Sequence, residues 1–73
     1  MWTKRAHNRI CKKLKDLFYT YGTFDYDDIL ELAYFLNEPD IDTLKVTLQV
    51  LDKENKIFIV EKNNRYYIDW INF

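Results

Sequence analysis

The stretch from Asp40 to Trp70 constrains this chain more than any other. Its first part, 40–54, places Ile41, Leu44, Leu48 and Leu51 at spacings of three, four and three, the buried seam of an amphipathic helix. Asp40 stands where a helix N-cap is wanted. Val50 extends the seam, whereas Asp42, Thr43, Lys45, Val46, Gln49 and Lys53 fall away from it. A hairpin follows with almost no loop. Ile57 to Trp70 is rich in β-branched and aromatic residues around Asn63-Asn64, and asparagine tolerates the left-handed backbone that a type I′ turn requires. A two-residue turn sets Lys62 opposite Arg65, Val60 opposite Tyr67 and Ile57 opposite Trp70. The period of two then puts Ile57, Ile59, Tyr66, Ile68 and Trp70 on one face, expected to close over the helices. Phe58, Val60, Lys62, Arg65, Tyr67 and Asp69 take the other face, and a slip of one residue would exchange the two.

Two more helices precede this unit. The first is expected from about Thr3, a candidate N-cap, to Tyr21, with Ile10, Leu14, Leu17 and Tyr21 on its inner stripe and Cys11 and Phe18 beside them. Gly22, the single glycine, sits where a helix end favours positive φ. The second is expected from Asp25, as cap, to Leu36, with Asp27 and Asp28 in its first turn, where the helix dipole favours acids. Ile29, Leu32, Ala33 and Leu36 form its inner stripe, widened by Tyr26, Tyr34 and Phe35. Asn37-Glu38-Pro39 ends it, because the residue before a proline avoids the α region. The expected class is therefore α+β, one domain over residues 1–73: three helices followed by a two-stranded β-hairpin. That is the layout of a winged helix, a fold that serves either to bind DNA or to dock proteins.

Size and composition bound the rest. A chain of 73 residues buries only about 60% of its unfolded surface, so its core must be efficient, and the 48% hydrophobic content supplies one. The lone Cys11 excludes an internal disulfide and fits a reducing compartment. With one cysteine and one histidine, a tetrahedral zinc site and metal cofactors are not expected. No stretch approaches the ~20 apolar residues of a membrane span, and the N-terminus lacks the apolar run of a signal peptide. The expectation is a soluble, cytoplasmic protein. Its net charge of −1 is unevenly spread. Residues 1–15 hold six basic side chains and no acid, whereas residues 16–42 hold eight acids and no Lys or Arg. The simplest reading is that these neighbours attract each other within the fold, with the remainder as solvated faces.

Charge also separates the two winged-helix roles. A DNA reader needs donors and cations where its third helix enters the groove. Here Glu38, Asp40 and Asp42 occupy that end and would repel phosphate, leaving Lys45, Gln49 and Lys53 on the helix and Lys62 and Arg65 at the wing tip as nucleic-acid contacts. The basic first helix, through Lys4, Arg5, Arg9, Lys12 and Lys13, is a second route to a backbone. A docking role has a more direct candidate. Both faces of a hairpin cannot be buried in so small a domain, so Phe58, Val60 and Tyr67, rimmed by Lys62 and Arg65, are expected to form an exposed apolar patch for a protein partner. Two or three exposed apolar residues are also common on any surface.

The segment from Phe35 through Asn37-Glu38-Pro39-Asp40, with Leu44, Leu48 and Leu51, the polar corner Glu54-Asn55-Lys56 and the strand Ile57 to Val60, resembles the second winged helix of the small subunit of the ESCRT-II endosomal sorting complex. Upstream, Thr23 to Leu32 is similar to that family's aromatic-rich start of the second helix, and Phe73 supplies a terminal aromatic. The chain departs from the pattern in a shorter segment before the third helix and in an Asn-Asn wing tip where the family has glycine. The resemblance implies an adaptor that docks a helix of an ESCRT-III subunit and is recruited to the endosomal membrane, with no catalysis. The residues themselves agree on the last point. No glycine-rich phosphate loop exists, and His7 and Cys11, one turn apart on a helix, lack a third group to orient them.

Overall fold

The structure is a computed structural model that describes residues 1–26 and 28–73, and the side chains of all of these except Tyr26 and Trp70. The elements run α1 (Lys4–Tyr21), β1 (Phe24–Tyr26), α2 (Ile29–Leu36), α3 (Ile41–Lys53), β2 (Ile57–Lys62) and β3 (Arg65–Ile71). Three helices pack on one antiparallel sheet of three strands in the order β1-β3-β2. The class is α+β, in an arrangement compatible with a winged helix, but the sheet has three strands, because β1 joins the expected two-stranded hairpin β2–β3.

Local chemistry accounts for the helix ends. Thr3 caps α1 by accepting from the Ala6 amide at 3.0 Å, and Gly22 closes it at φ 71°, its amide donating to the Phe18 carbonyl. Asp40 caps α3, accepting from the Thr43 amide at 3.1 Å. In a chain with one glycine, asparagine takes over the remaining left-handed positions. Asn37 (φ 54°) ends α2, with Asn37 N–H donating to Tyr34 and Glu38 N–H to Ala33. Asn55 (φ 59°) ends α3 in the same way, with Asn55 N–H on Asp52 and Lys56 N–H on Leu51. These paired bonds are the Schellman closure, in which a residue in the αL region lets two amides turn back onto the last helical turn. Asn63 and Asn64, at φ 52° and 63°, make the expected I′ hairpin turn.

The core is Ile10 and Leu14 from α1, Leu32, Ala33 and Leu36 from α2, Leu44, Leu48 and Leu51 from α3, and Ile57 and Ile68 from the sheet. Leu17, Ile29, Ile41 and Ile59 pack at its margin. Tyr21 departs from its stripe and is exposed, since it lies in the last turn of α1. Thr43, expected outside the seam, is buried because the Asp40 carboxylate accepts its hydroxyl at 2.6 Å, which removes the cost of taking a polar group inside. Thr47 is buried as well.

The largest departure lies between α1 and α2. Asp25 does not cap a helix there. Phe24–Tyr26 pairs with β3, in register Phe24↔Ile68, Asp25↔Tyr67 and Tyr26↔Tyr66. The helix begins after Asp28, whose carboxylate accepts from the Glu31 amide at 2.9 Å. The expected place of Asp27 in the first turn lies outside the described residues. Because α2 is short and its buried side is formed by Leu32, Ala33 and Leu36, Tyr34 and Phe35 point outward instead of widening that stripe. The expected inward places of Tyr26 and Trp70 lie outside the described side chains.

The hairpin register holds from the turn to Ile59↔Ile68 and then shifts. Phe58 pairs with Trp70 and Ile57 with Ile71, so Ile57 does not face Trp70. Asp69 is the extra residue of a β-bulge, which adds local twist at the end of the hairpin away from its turn. Tyr66, expected inside, is exposed one pair from the hairpin turn.

Candidate functional site

The sheet leaves one face uncovered by helices. Tyr67, on the central strand, lies between Val60 of β2 and Asp25 of β1. Directly opposed antiparallel residues are close enough for side-chain contact, so Val60 and Tyr67 form one surface unit. Both are half-buried. Phe58, two residues along β2 on the same side, is 55% exposed. Lys62 pairs with Arg65 beside the turn, and both are exposed. The Arg65 guanidinium donates to Asp25 Oδ2 at 2.9 Å, tying the wing tip to β1. The extra residue of the bulge falls in β3, so β2 alternates without interruption, but the shift sets Trp70 rather than Asp69 opposite Phe58.

The α3 surface is arranged differently. Lys45, Gln49 and Lys53 recur every fourth residue and are all exposed, so they form one line along the helix. Asp42, Asp52 and Val46 are exposed on the same helix, so its two lysines are matched by two acids. The expected acidic rim at the start of α3 keeps Asp42 and, in part, Asp40 at the surface but loses Glu38. Glu38 is buried, its side chain 0% exposed. Arg9 Nε and Nη2 donate to Glu38 Oε1 at 3.2 and 3.0 Å, Nη2 reaches Oε2 at 3.0 Å, and Lys13 Nζ lies 3.6 Å from Oε1. The same pairing draws Arg9 and Lys13 out of the expected basic face of α1, leaving Lys4, Arg5 and Lys12 exposed on it. Nothing in the local sequence around Glu38 signals its burial, since the two cations come from another helix.

Asp40 is also engaged. The Thr43 hydroxyl, then the amino group of Met1 at 2.9 Å and the Thr43 amide, hold its carboxyl well below the ordinary carboxylate range. A carboxyl with a folded pKa below its unfolded value of about 3.9 stabilises the fold above that pH and loses this contribution as pH falls below it. An asparagine in its place would still cap the helix but could not titrate. Thermal unfolding between pH 5 and pH 2 should therefore fall less steeply in Asp40→Asn than in the wild type. Equal acid slopes in the two proteins would refute this assignment.

Burial, followed by the charge of Glu54, pushes the Cys11 thiol up, opposite to what a reactive thiolate needs. His7 packs edge-on against Trp2 with ring centroids 5.5 Å apart. Among the described residues, no helix is long and apolar enough to cross a membrane.

A second apolar surface was not anticipated. Leu30 and Tyr34, four apart on α2, are 62% and 82% exposed, and Phe35 beside them is 57% exposed. The signal was present in the sequence of α2, Ile-Leu-Glu-Leu-Ala-Tyr-Phe-Leu, where Glu31 is the one polar residue. A helix that is apolar all round has more than one face to cover. No protein-family model, no curated protein and no solved structure matches the chain.

Proposed function

We propose that this chain is a non-catalytic winged-helix docking module that binds a protein partner through the outer face of its wing. The observation that carries the reading is Phe58, more than half exposed beside the Val60–Tyr67 pair, with Lys62 and Arg65 at the rim. An aromatic anchor with a charged border is the composition of a binding hot spot. The partner implied by the sequence resemblance is a helix of an ESCRT-III subunit, which would make the domain an adaptor in endosomal membrane sorting. Phe58→Asp and Tyr67→Asp should melt within a few degrees of the wild type and weaken such a helix by at least about tenfold in calorimetric titration. Unfolding of both variants would show that the face is core and remove the proposal.

Duplex DNA is the second reading. It gains from the pairing of Glu38 and Asp40, which leaves Asp42 alone of the three entry acids without an ion pair among the described residues. Lys45, Gln49 and Lys53 would then meet the groove, and Lys62 and Arg65 the backbone. Affinity for mixed-sequence duplex would fall steeply with salt and weaken in Lys62→Glu with Arg65→Glu. A flat titration at low salt would eliminate this reading.

A further inference from the structure

The exposed side of α2 is an apolar ridge bordered by hollows. One, of about 600 Å³, runs between α2 and the start of α3, lined by Leu30, Tyr34, Phe35, Pro39 and Ile41. A second, of about 370 Å³, separates Phe35 from Leu17, Tyr21 and Phe24. The Tyr34 and Phe35 rings lie edge to face at 6.0 Å, giving the ridge a defined aromatic crest. Contiguous exposed apolar surface of this kind marks an interaction site more often than scattered exposed residues do.

The ridge's own stretch of chain carries acids only, and the cations beside its larger hollow, Arg9 and Lys13, are both paired with Glu38. Asp16 lines a hollow shared with Phe35, Asp28 starts the helix that bears Leu30, and Asp42 follows Ile41; all three are exposed. No Lys or Arg occurs between residues 16 and 42. Lys13, which reaches the hollow beside Asp16, is already held by Glu38 and the Asn37 carbonyl. A second copy docking symmetrically through α2 would set one acidic border against the other, and like charges across an interface oppose association. A basic partner has the opposite sign. We propose that the α2 ridge is a docking site for an amphipathic helix of another protein, with an apolar stripe on the crest and rows of Lys or Arg against Asp16, Asp28 and Asp42. This site is separate from the wing face and stands or falls without it.

The test uses two synthetic helices of equal length, one with a leucine stripe between lysine rows and one with the same stripe between glutamate rows. Titrated into the labelled domain, the lysine helix should shift the amide signals of Leu30, Tyr34 and Ile41 and bind at least about tenfold more tightly than the glutamate helix. Leu30→Lys with Tyr34→Lys changes exposed positions only, so the fold should persist while binding is lost. Asp16→Lys with Asp42→Lys keeps the crest and both caps but should abolish the preference for lysine. Phe58→Asp should bind the lysine helix as the wild type does. Equal binding of the two helices, or shifts confined to the sheet, would overturn the proposal. So would sedimentation showing a wild-type dimer that Leu30→Lys with Tyr34→Lys dissolves, which would assign the ridge to a second copy.

Discussion

Arg9→Met is expected to lower stability by about 3 kcal/mol in urea unfolding, the scale of breaking a buried ion pair from one side. Methionine preserves much of the apolar stem of Arg9, which is itself 48% exposed, so the loss would come from Glu38 rather than from the substituted residue. With its side chain fully buried, the Glu38 carboxylate would keep Lys13 at 3.6 Å and a long 3.4 Å bond from the Asp40 amide, too little to replace the guanidinium. Glu38→Met added to Arg9→Met should recover part of the loss, because no charge is then stranded. In a domain of this size, whose total stability is on the order of 5 kcal/mol, the single variant would be close to half unfolded in mild denaturant. A loss below about 1 kcal/mol, or a double variant worse than the sum of the singles, would mean that water reaches Glu38 and that the pair is a surface feature.

Ile68→Ala should cost a similar amount, about 3 kcal/mol, from lost transfer energy and the cavity left behind. Ile68 is 0% exposed, lies on the central strand between Phe24 and Ile59, and faces the helices. Tyr66→Ala, two residues away and expected from alternation alone to share that face, should cost well under half as much, because Tyr66 is exposed one pair from the hairpin turn. Chemical denaturation of the two variants measures the register directly. Equal losses would place Tyr66 in the core and contradict the strand pairing.

Much of the fold was legible because it is written locally. Thr3, Asp40, Gly22 and Asn63-Asn64 each act on backbone groups within about four residues, so their roles follow from position in the chain. The seams of α1 and α3 follow from periodicity. The outward place of Phe58, Val60 and Tyr67 could be counted from the turn, and the bulge at Asp69 left that count intact on β2. β1 was not legible. Three residues are too few to show a period, and Phe24 finds its strand partner in Ile68, far along the chain. The helical start at Asp25 was for the same reason a sound local reading overruled by a distant one: the sheet pairs those backbone groups, and Asp28 inherits the cap.

What the sequence determined by itself is therefore where the first and third helices begin, where all three end and where the hairpin turns, since capping and left-handed backbone depend on neighbours; the start of α2 needed the sheet. What only the tertiary structure decided is which charges and aromatics face water. Glu38 reads as a surface acid at the mouth of a helix until Arg9, on another helix, comes to hold it inside. Tyr34 and Phe35 read as core until the other elements cover the opposite side of α2 and leave them out. Burial is set by what packs against a residue, and for these residues the partners lie on other elements of the chain.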